Sequence, residues 1–208
     1  GAASSHDTDI LRPYTEAFQA SGGLVSLTGN LGEAVIKVSA VKSERRIIEA
    51  PAKVFHDQEE VQAAFKAGEL TGDFVCVVRF QGPKANGMPE LHSLTPVLGV
   101  LQDRGQQVAL VTDGRMSGAS GKVPAAIHLS PEAMEGGAIA KIRDGDLIRL
   151  DAESGELSVL AADFDSRANA TANLDANEAG LGRELFQVFR QAVGPASSGA
   201  SSLFAAGV

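Results

Sequence analysis

The 208-residue sequence holds one cysteine, one tyrosine and no tryptophan. A lone cysteine excludes a disulfide framework within the chain. Cys76 stands inside Phe74-Val75-Cys76-Val77-Val78, where a buried, inert thiol is expected. Positive charge is also scarce: 18 Lys and Arg stand against 26 Asp and Glu, a formal net charge of −8. A nucleic-acid footprint would be basic, so none is expected. Lys42-Ser43-Glu44-Arg45-Arg46, a basic cluster interrupted by Ser43 and Glu44, reads as a solvated strand end. No run of eighteen apolar residues occurs, so no membrane span is expected. The first residues lack the charged-then-apolar pattern of a secretory signal. These features together give a cytoplasmic expectation.

What is present is an ordinary globular composition, 44% hydrophobic, able to supply a core. Residues 1–20 are polar and aperiodic and read as a linker; a folded domain is expected over 21–193 and a flexible Ala/Ser/Gly tail over 194–208. Leu24–Leu27 and Ala34–Val41 read as strands on either side of the Thr28–Gly32 turn. Arg46–Ala50 is a short strand closed by Pro51, and Asp57–Gly68 is a helix with a capping box at Asp57 and Glu60. Asp73–Phe80 is apolar enough to be buried on both faces. A Gly/Pro-rich loop over 81–90 follows, then a helix from Thr95-Pro96 to Gly105, with Thr95 as N-cap.

Val108–Val111 and Ala125–Leu129 are further strands, and Ser130-Pro131-Glu132 reads as a helix start. The segments flanking Glu153–Glu156 make a hairpin, and Gly182–Val193 is a helix with Leu185, Val188 and Phe189 inward. Crossovers mixed with hairpins imply an α/β fold with a mixed, barrel-like sheet covered by helices.

One stretch stands out chemically. Between two apolar strands, Thr112-Asp113-Gly114-Arg115-Met116-Ser117-Gly118-Ala119-Ser120-Gly121-Lys122-Val123-Pro124 packs three glycines, two serines and two cations into thirteen residues. Glycine allows close approach of backbone to a ligand, and successive N–H groups in such a turn can cradle an anion. It is not a P-loop: Met116 stands where the first glycine is needed and Val123 where the Ser/Thr is needed.

This loop, with Gly82-Pro83-Lys84-Ala85-Asn86-Gly87-Met88-Pro89-Glu90, resembles the dihydroxy-acid dehydratase and phosphogluconate dehydratase family. The likeness extends over Gly29–Lys37 and Ser130–Ala133, and the wording of Arg79–Pro83 and Ser117–His128 is similar to the phosphogluconate branch. The resemblance implies a three-layer β/β/α swivelling domain, the C-terminal part of a longer enzyme. It also implies an N-terminal domain of that enzyme whose cysteines hold a [4Fe-4S] cluster, and a homodimeric full-length form. No iron–sulfur ligand is expected in this chain, so alone it should lack both cluster and turnover.

The implied reaction removes water from 6-phosphogluconate to give 2-dehydro-3-deoxy-6-phosphogluconate; another aldonate or dihydroxy acid is the alternative substrate. A freestanding, non-catalytic binding module of the same fold is the rival reading. By resemblance, Ser117 is the base for the C2 proton, and its other possible role is capping the turn. Glu90 is matched to a ligand of Mg²⁺, against an exposed loop glutamate. Arg115, Gly118, Lys122 and His128 are candidate substrate contacts. Arg115 could instead form a structural ion pair, and His128, like His92, could be a satisfied structural histidine. Gly180–Glu184 resembles the start of the family's C-terminal helix, where Arg183 either meets the substrate's distal phosphate or is a solvated helix-end charge. Asp113 is expected to brace the loop.

Overall fold

The computed structural model describes residues 5–19, 21–116 and 121–203. Eight strands, β1 (Leu24–Gly29), β2 (Gly32–Lys37), β3 (Ile47–Phe55), β4 (Phe74–Val78), β5 (Val108–Thr112), β6 (Ala125–Ser130), β7 (Leu147–Asp151) and β8 (Glu156–Val159), close into a barrel. Their order around it is β1-β2-β6-β5-β4-β3-β7-β8. Strands β3 to β6 are mutually parallel where they pair, and the remaining pairs are antiparallel except at the seam between β1 and β8. At that seam one residue pair, Thr28 with Glu156, carries the ladder. Asn30 completes the closure: its side chain accepts from Val159 N at 2.9 Å and donates to Val159 O at 2.8 Å. Gly29 is required here, because a Cβ would lie 2.0 Å from Leu157 O.

The apolar run at β4 is buried on both faces, as its composition implies, and the two faces serve different cores. Val75 and Val77 point into the barrel with Val111, Ala126 and Ile148. Phe74, Cys76 and Val78 point outward beneath helices α1 (Gln58–Ala67) and α3 (Leu94–Asp103). A section through the molecule therefore crosses two barrel walls and then a helical layer. Helix α1 starts where the side chain of Asp57 accepts from Glu60 N at 2.8 Å; Glu60 reaches back one residue further than in a standard box, to His56 N at 2.7 Å.

Several local expectations are corrected. Strand β3 does not stop at Pro51 but runs to Phe55. Residues 47–51 pair antiparallel with β7 and residues 52–55 pair parallel with β4, so the proline sits where β3 changes partner. Helix α3 begins at Leu94, and Pro96 lies within its first turn, where a missing N–H costs no helical bond. Thr95 is not the cap; its hydroxyl lies 3.0 Å from Met116 Sδ. The 81–90 loop contains a short helix, α2 (Pro83–Asn86). After Ser130-Pro131 the chain makes only a 3₁₀ turn, Ala133–Glu135.

Beyond the short helix α4 (Asp175–Glu178), the expected 182–193 helix is a 3₁₀ turn at Arg183–Phe186 running into α5 (Gln187–Ala192). Its apolar residues do not face inward: Leu185 is 77% exposed and Val188 72%. Within 194–203, Ser197 N donates to Ser130 Oγ at 3.3 Å and Gly194 N to Ser201 O at 3.0 Å. No helix among the described residues is long and apolar enough to cross a membrane.

Candidate functional site

In parallel α/β sheets, binding sites form beyond the carboxyl ends of the strands, where the connections are free to diverge. Here the carboxyl ends of β3, β4, β5 and β6 deliver His56, the 79–91 segment, the 113–116 segment and the 130–135 turn to one rim. The 82–90 stretch and residues 113–116 of the 112–124 stretch lie on it.

Asp113 holds the rim together. It is fully buried, and its carboxylate accepts from Phe80 N (3.1 Å), Gln81 N (2.9 Å) and Ala133 N (2.9 Å). Burial pushes its pKa up, and the three N–H donors oppose that rise. Its bonds tie three separate connections to one side chain, which is the bracing role expected of it. They also hold Phe80 in left-handed backbone geometry (φ 64°), a conformation uncommon for a residue with a side chain. Met88 and His128, on neighbouring segments, have positive φ as well. Strain of this kind persists only where the surroundings over-determine it.

Glu132 plays a second bracing role that sequence reasoning missed. Its buried carboxylate accepts from Lys84 N at 2.8 Å and Ala85 N at 3.1 Å, capping α2 from outside the helix. Burial pushes its pKa up, and these two N–H donors oppose the rise. The helix's own N-cap is Gly82, where a Cβ would stand 2.3 Å from Glu132 Oε2. The only sequence signal is an acidic residue after Ser-Pro, and nothing in the spacing says that it caps a helix 47 residues away.

Behind the rim lies Arg79, another buried residue to which the sequence reading gave no role of its own. Its Nη1 donates to Ala140 O and Ile142 O, Nη2 lies 3.1 Å from His56 Nε2, and Nε has no partner among the described residues. Burial first, then this guanidinium, lowers the His56 pKa. Gln81 bridges onward, donating to His56 O at 2.6 Å and accepting from Asn86 Nδ2 at 2.9 Å.

Of the candidate contacts, the structure brings Glu90, Arg115 and His128 together. Glu90 and Arg115 form an isolated parallel bridge, with an Arg115 Nη1 to Glu90 Oε2 ion pair at 3.3 Å. Arg115 Nε donates to Met88 O at 2.9 Å, and His128 N donates to Gly114 O at 2.9 Å. Burial first, then the charge of Arg115, lowers the His128 pKa and so favours the neutral imidazole. Lys122 turns away to α3 and is held by both carboxylate oxygens of Asp103 at 2.8 Å. His92 is exposed, its Nδ1 lying 3.4 Å from Glu90 O. Ser117 and Gly118 lie outside the described residues.

The residues present do not fit an iron–sulfur cluster. Cys76 is wholly buried under the helices, and burial pushes its thiol pKa far up, away from the thiolate a metal needs. No set of three or more His, Cys, Asp or Glu among the described residues is placed to hold a metal. Glu90 fits only as a single oxygen ligand of a hard divalent ion.

A family model described as the dihydroxy-acid/6-phosphogluconate dehydratase C-terminal domain matches residues 9–200. The phosphogluconate dehydratase of Rhizobium meliloti is 62% identical over 203 residues, covering 97% of this chain and 34% of the relative. That of Escherichia coli K12 is 52% identical over 205 residues, covering 98% and 34%. The dihydroxy-acid dehydratase of Pyrococcus furiosus is 43% identical over 165 residues, covering 76% and 29%. The chain thus spans about a third of the length of the phosphogluconate dehydratases it matches. It belongs to the dihydroxy-acid/6-phosphogluconate dehydratase family and corresponds to that family's C-terminal domain.

Proposed function

We propose that this chain is the C-terminal domain of a cytoplasmic hydro-lyase that converts 6-phosphogluconate to 2-dehydro-3-deoxy-6-phosphogluconate and water. The observation that carries the reading is the joining of the Glu90 and Arg115 segments at the carboxyl end of the parallel strands, directly before Ser117. Identity of 52–62% to proteins named phosphogluconate dehydratase supports this substrate over other dihydroxy acids.

The reaction takes a proton from C2 and hydroxide from C3, leaving an enol that tautomerises to the 2-keto acid. In this reading Ser117 accepts the C2 proton. A serine hydroxyl is a weak base unless positive charge nearby favours its ionised form. Arg115 stands two residues away, whereas Lys122 is already engaged by Asp103. Arg115 is also suited to the substrate carboxylate, since a guanidinium offers two parallel donors. His128, whose neutral form its surroundings favour, can donate or accept one hydrogen bond without adding charge. Departure of the C3 hydroxyl needs a Lewis acid, and the described residues hold no ligand set for a cluster. That step falls to the rest of the longer protein, together with the remaining ligands of any Mg²⁺ at Glu90.

Exposed Leu181, Leu185, Phe186 and Val188 support the presence of further protein over this end. The deciding experiment assays the full-length protein on 6-phosphogluconate and on 2,3-dihydroxy-isovalerate, with this chain alone as the control. Turnover of the phosphorylated acid by the full-length protein, and none by the chain, is expected. Turnover by the isolated chain, or preference for 2,3-dihydroxy-isovalerate, would overturn the reading.

A further inference from the structure

Beside the Glu90–Arg115 pair, the chain folds back on itself to make an open cleft of about 520 Å³. Three arginines line it, Arg115, Arg183 and Arg190, over apolar surface from Phe186, Phe189 and Val193. In a chain of net charge −8 this is a local reversal of sign. Arg115 pairs with Glu90, but no carboxylate among the described residues pairs with Arg183 or Arg190.

Both are held instead by neutral acceptors. Arg183 Nη1 donates to Asn86 Oδ1 at 2.9 Å and to Asn177 O at 3.4 Å. Arg190 Nη1 donates to Arg183 O at 3.2 Å, and its Nη2 lies 3.5 Å from Glu178 O. The stem of Arg190 packs on Gly87, where a Cβ would sit 3.8 Å from its Cδ. Gly87 adjoins Met88, whose carbonyl holds Arg115. The α2 loop thus fixes all three arginines from one side.

A guanidinium carries five N–H donors, and in Arg183 the bonds recorded among the described residues use only Nη1. Its Nε and Nη2 remain as a fork. A partly buried cation fixed by neutral groups, with a free fork and like charges nearby, is completed by a multivalent anion.

We infer that this cleft is a subsite for a phosphate monoester, with Arg183 and Arg190 as its principal ligands. The phosphate is that of the sugar-acid substrate, whose carboxylate end lies toward Arg115. The identity of that phosphate's bearer rests on the dehydratase reading; the binding of phosphate itself does not. Arg183 and Arg190 would then set the preference for phosphorylated over unphosphorylated acids.

The test uses the full-length protein and its Arg183→Ala, Arg190→Ala and Arg183→Lys variants. Calorimetric titration with inorganic phosphate reads binding without turnover. Loss of a charge-assisted fork is expected to weaken phosphate affinity about 10- to 100-fold in the alanine variants. Arg183→Lys restores only part of it, since an ammonium keeps the charge but not the fork. The ratio of kcat/KM for 6-phosphogluconate to that for gluconate should fall by a similar factor, mainly through KM. Phosphate affinity within twofold of the parent, or equal losses on both substrates at a fixed ratio, would overturn the subsite and leave a structural role. If neither acid is turned over, the dehydratase reading fails while the titration still decides the subsite. Should an alanine variant not fold, Arg183→Lys carries the same comparison.

Discussion

Glu90 and Arg115 meet twice, once through their backbones in a parallel bridge and once through an ion pair at 3.3 Å. Leu91 N adds a bond to Arg115 O at 3.1 Å. The two loops are thus joined at one point, and the pair links the candidate metal ligand, Glu90, to the candidate substrate anchor, Arg115. With side chains 30% and 51% exposed, the ion pair itself contributes no more than about 1 kcal/mol. Its importance is positional. A carboxylate that binds a divalent ion must share or release its guanidinium, which frees Arg115 for substrate. In the full-length enzyme, Glu90→Gln should raise the Mg²⁺ concentration needed for half-maximal turnover, with a change in stability below about 1 kcal/mol. An unchanged Mg²⁺ response would remove Glu90 from the metal site.

Asp113 predicts a structural effect of a different size. Replacing it with alanine leaves the N–H groups of Phe80, Gln81 and Ala133 without their acceptor in a buried setting. The expected loss is about 3 kcal/mol or more. At roughly 2–4 °C per kcal/mol for a domain of this size, thermal unfolding should fall by about 6–12 °C. Asp113→Asn retains one acceptor oxygen and should fall between the two. Thermal melts of this chain, followed by circular dichroism, measure both. An alanine variant melting within a degree of the parent would contradict the bracing role.

Acid should weaken the latch at Asp146. This carboxylate is nearly buried and accepts from both terminal nitrogens of Arg167 and from Arg143 N at 2.7 Å. Burial pushes its pKa up, but the Arg167 bonds and the backbone donor outweigh that and hold it below the ordinary carboxylate value. A folded-state pKa below the unfolded one means that the unfolded chain binds more protons in the window between them. The latch's contribution is therefore fully present above the ordinary aspartate pKa and is lost as pH falls through the folded value. Stability plotted against pH should drop less steeply below about pH 4 in Asp146→Asn than in the parent. Equal slopes in a series of denaturant melts would contradict the latch.

Much of the fold was legible because β4 and most of β5 are short, valine-rich apolar runs, whose length and β-branching favour strands covered on both faces. The Asp57 cap and the hairpin joining β7 and β8 were legible for the same reason: each is encoded within a few neighbouring residues. What escaped was encoded at a distance. Pro51 ends a strand on local grounds, yet here β3 continues past it because its partner changes there. Leu185 and Val188 have helical spacing but no barrel surface against them, so periodicity predicted a buried face that this chain does not provide. At the site, Glu90 and Arg115 were marked by the motifs around them, while Glu132 and Arg79 carry no local signature. Their backbone partners lie 47 to 63 residues away in sequence.

The account rests finally on Ser117 as the base on this loop. The most direct measurement is turnover of 6-phosphogluconate by the full-length protein carrying Ser117→Ala, with its iron–sulfur absorbance recorded on the same sample. The expected result is a fall in kcat of about 100-fold or more, the loss of a general base, with the absorbance unchanged. Near-parent turnover with an intact absorbance band would contradict it and leave Ser117 as a residue of the turn.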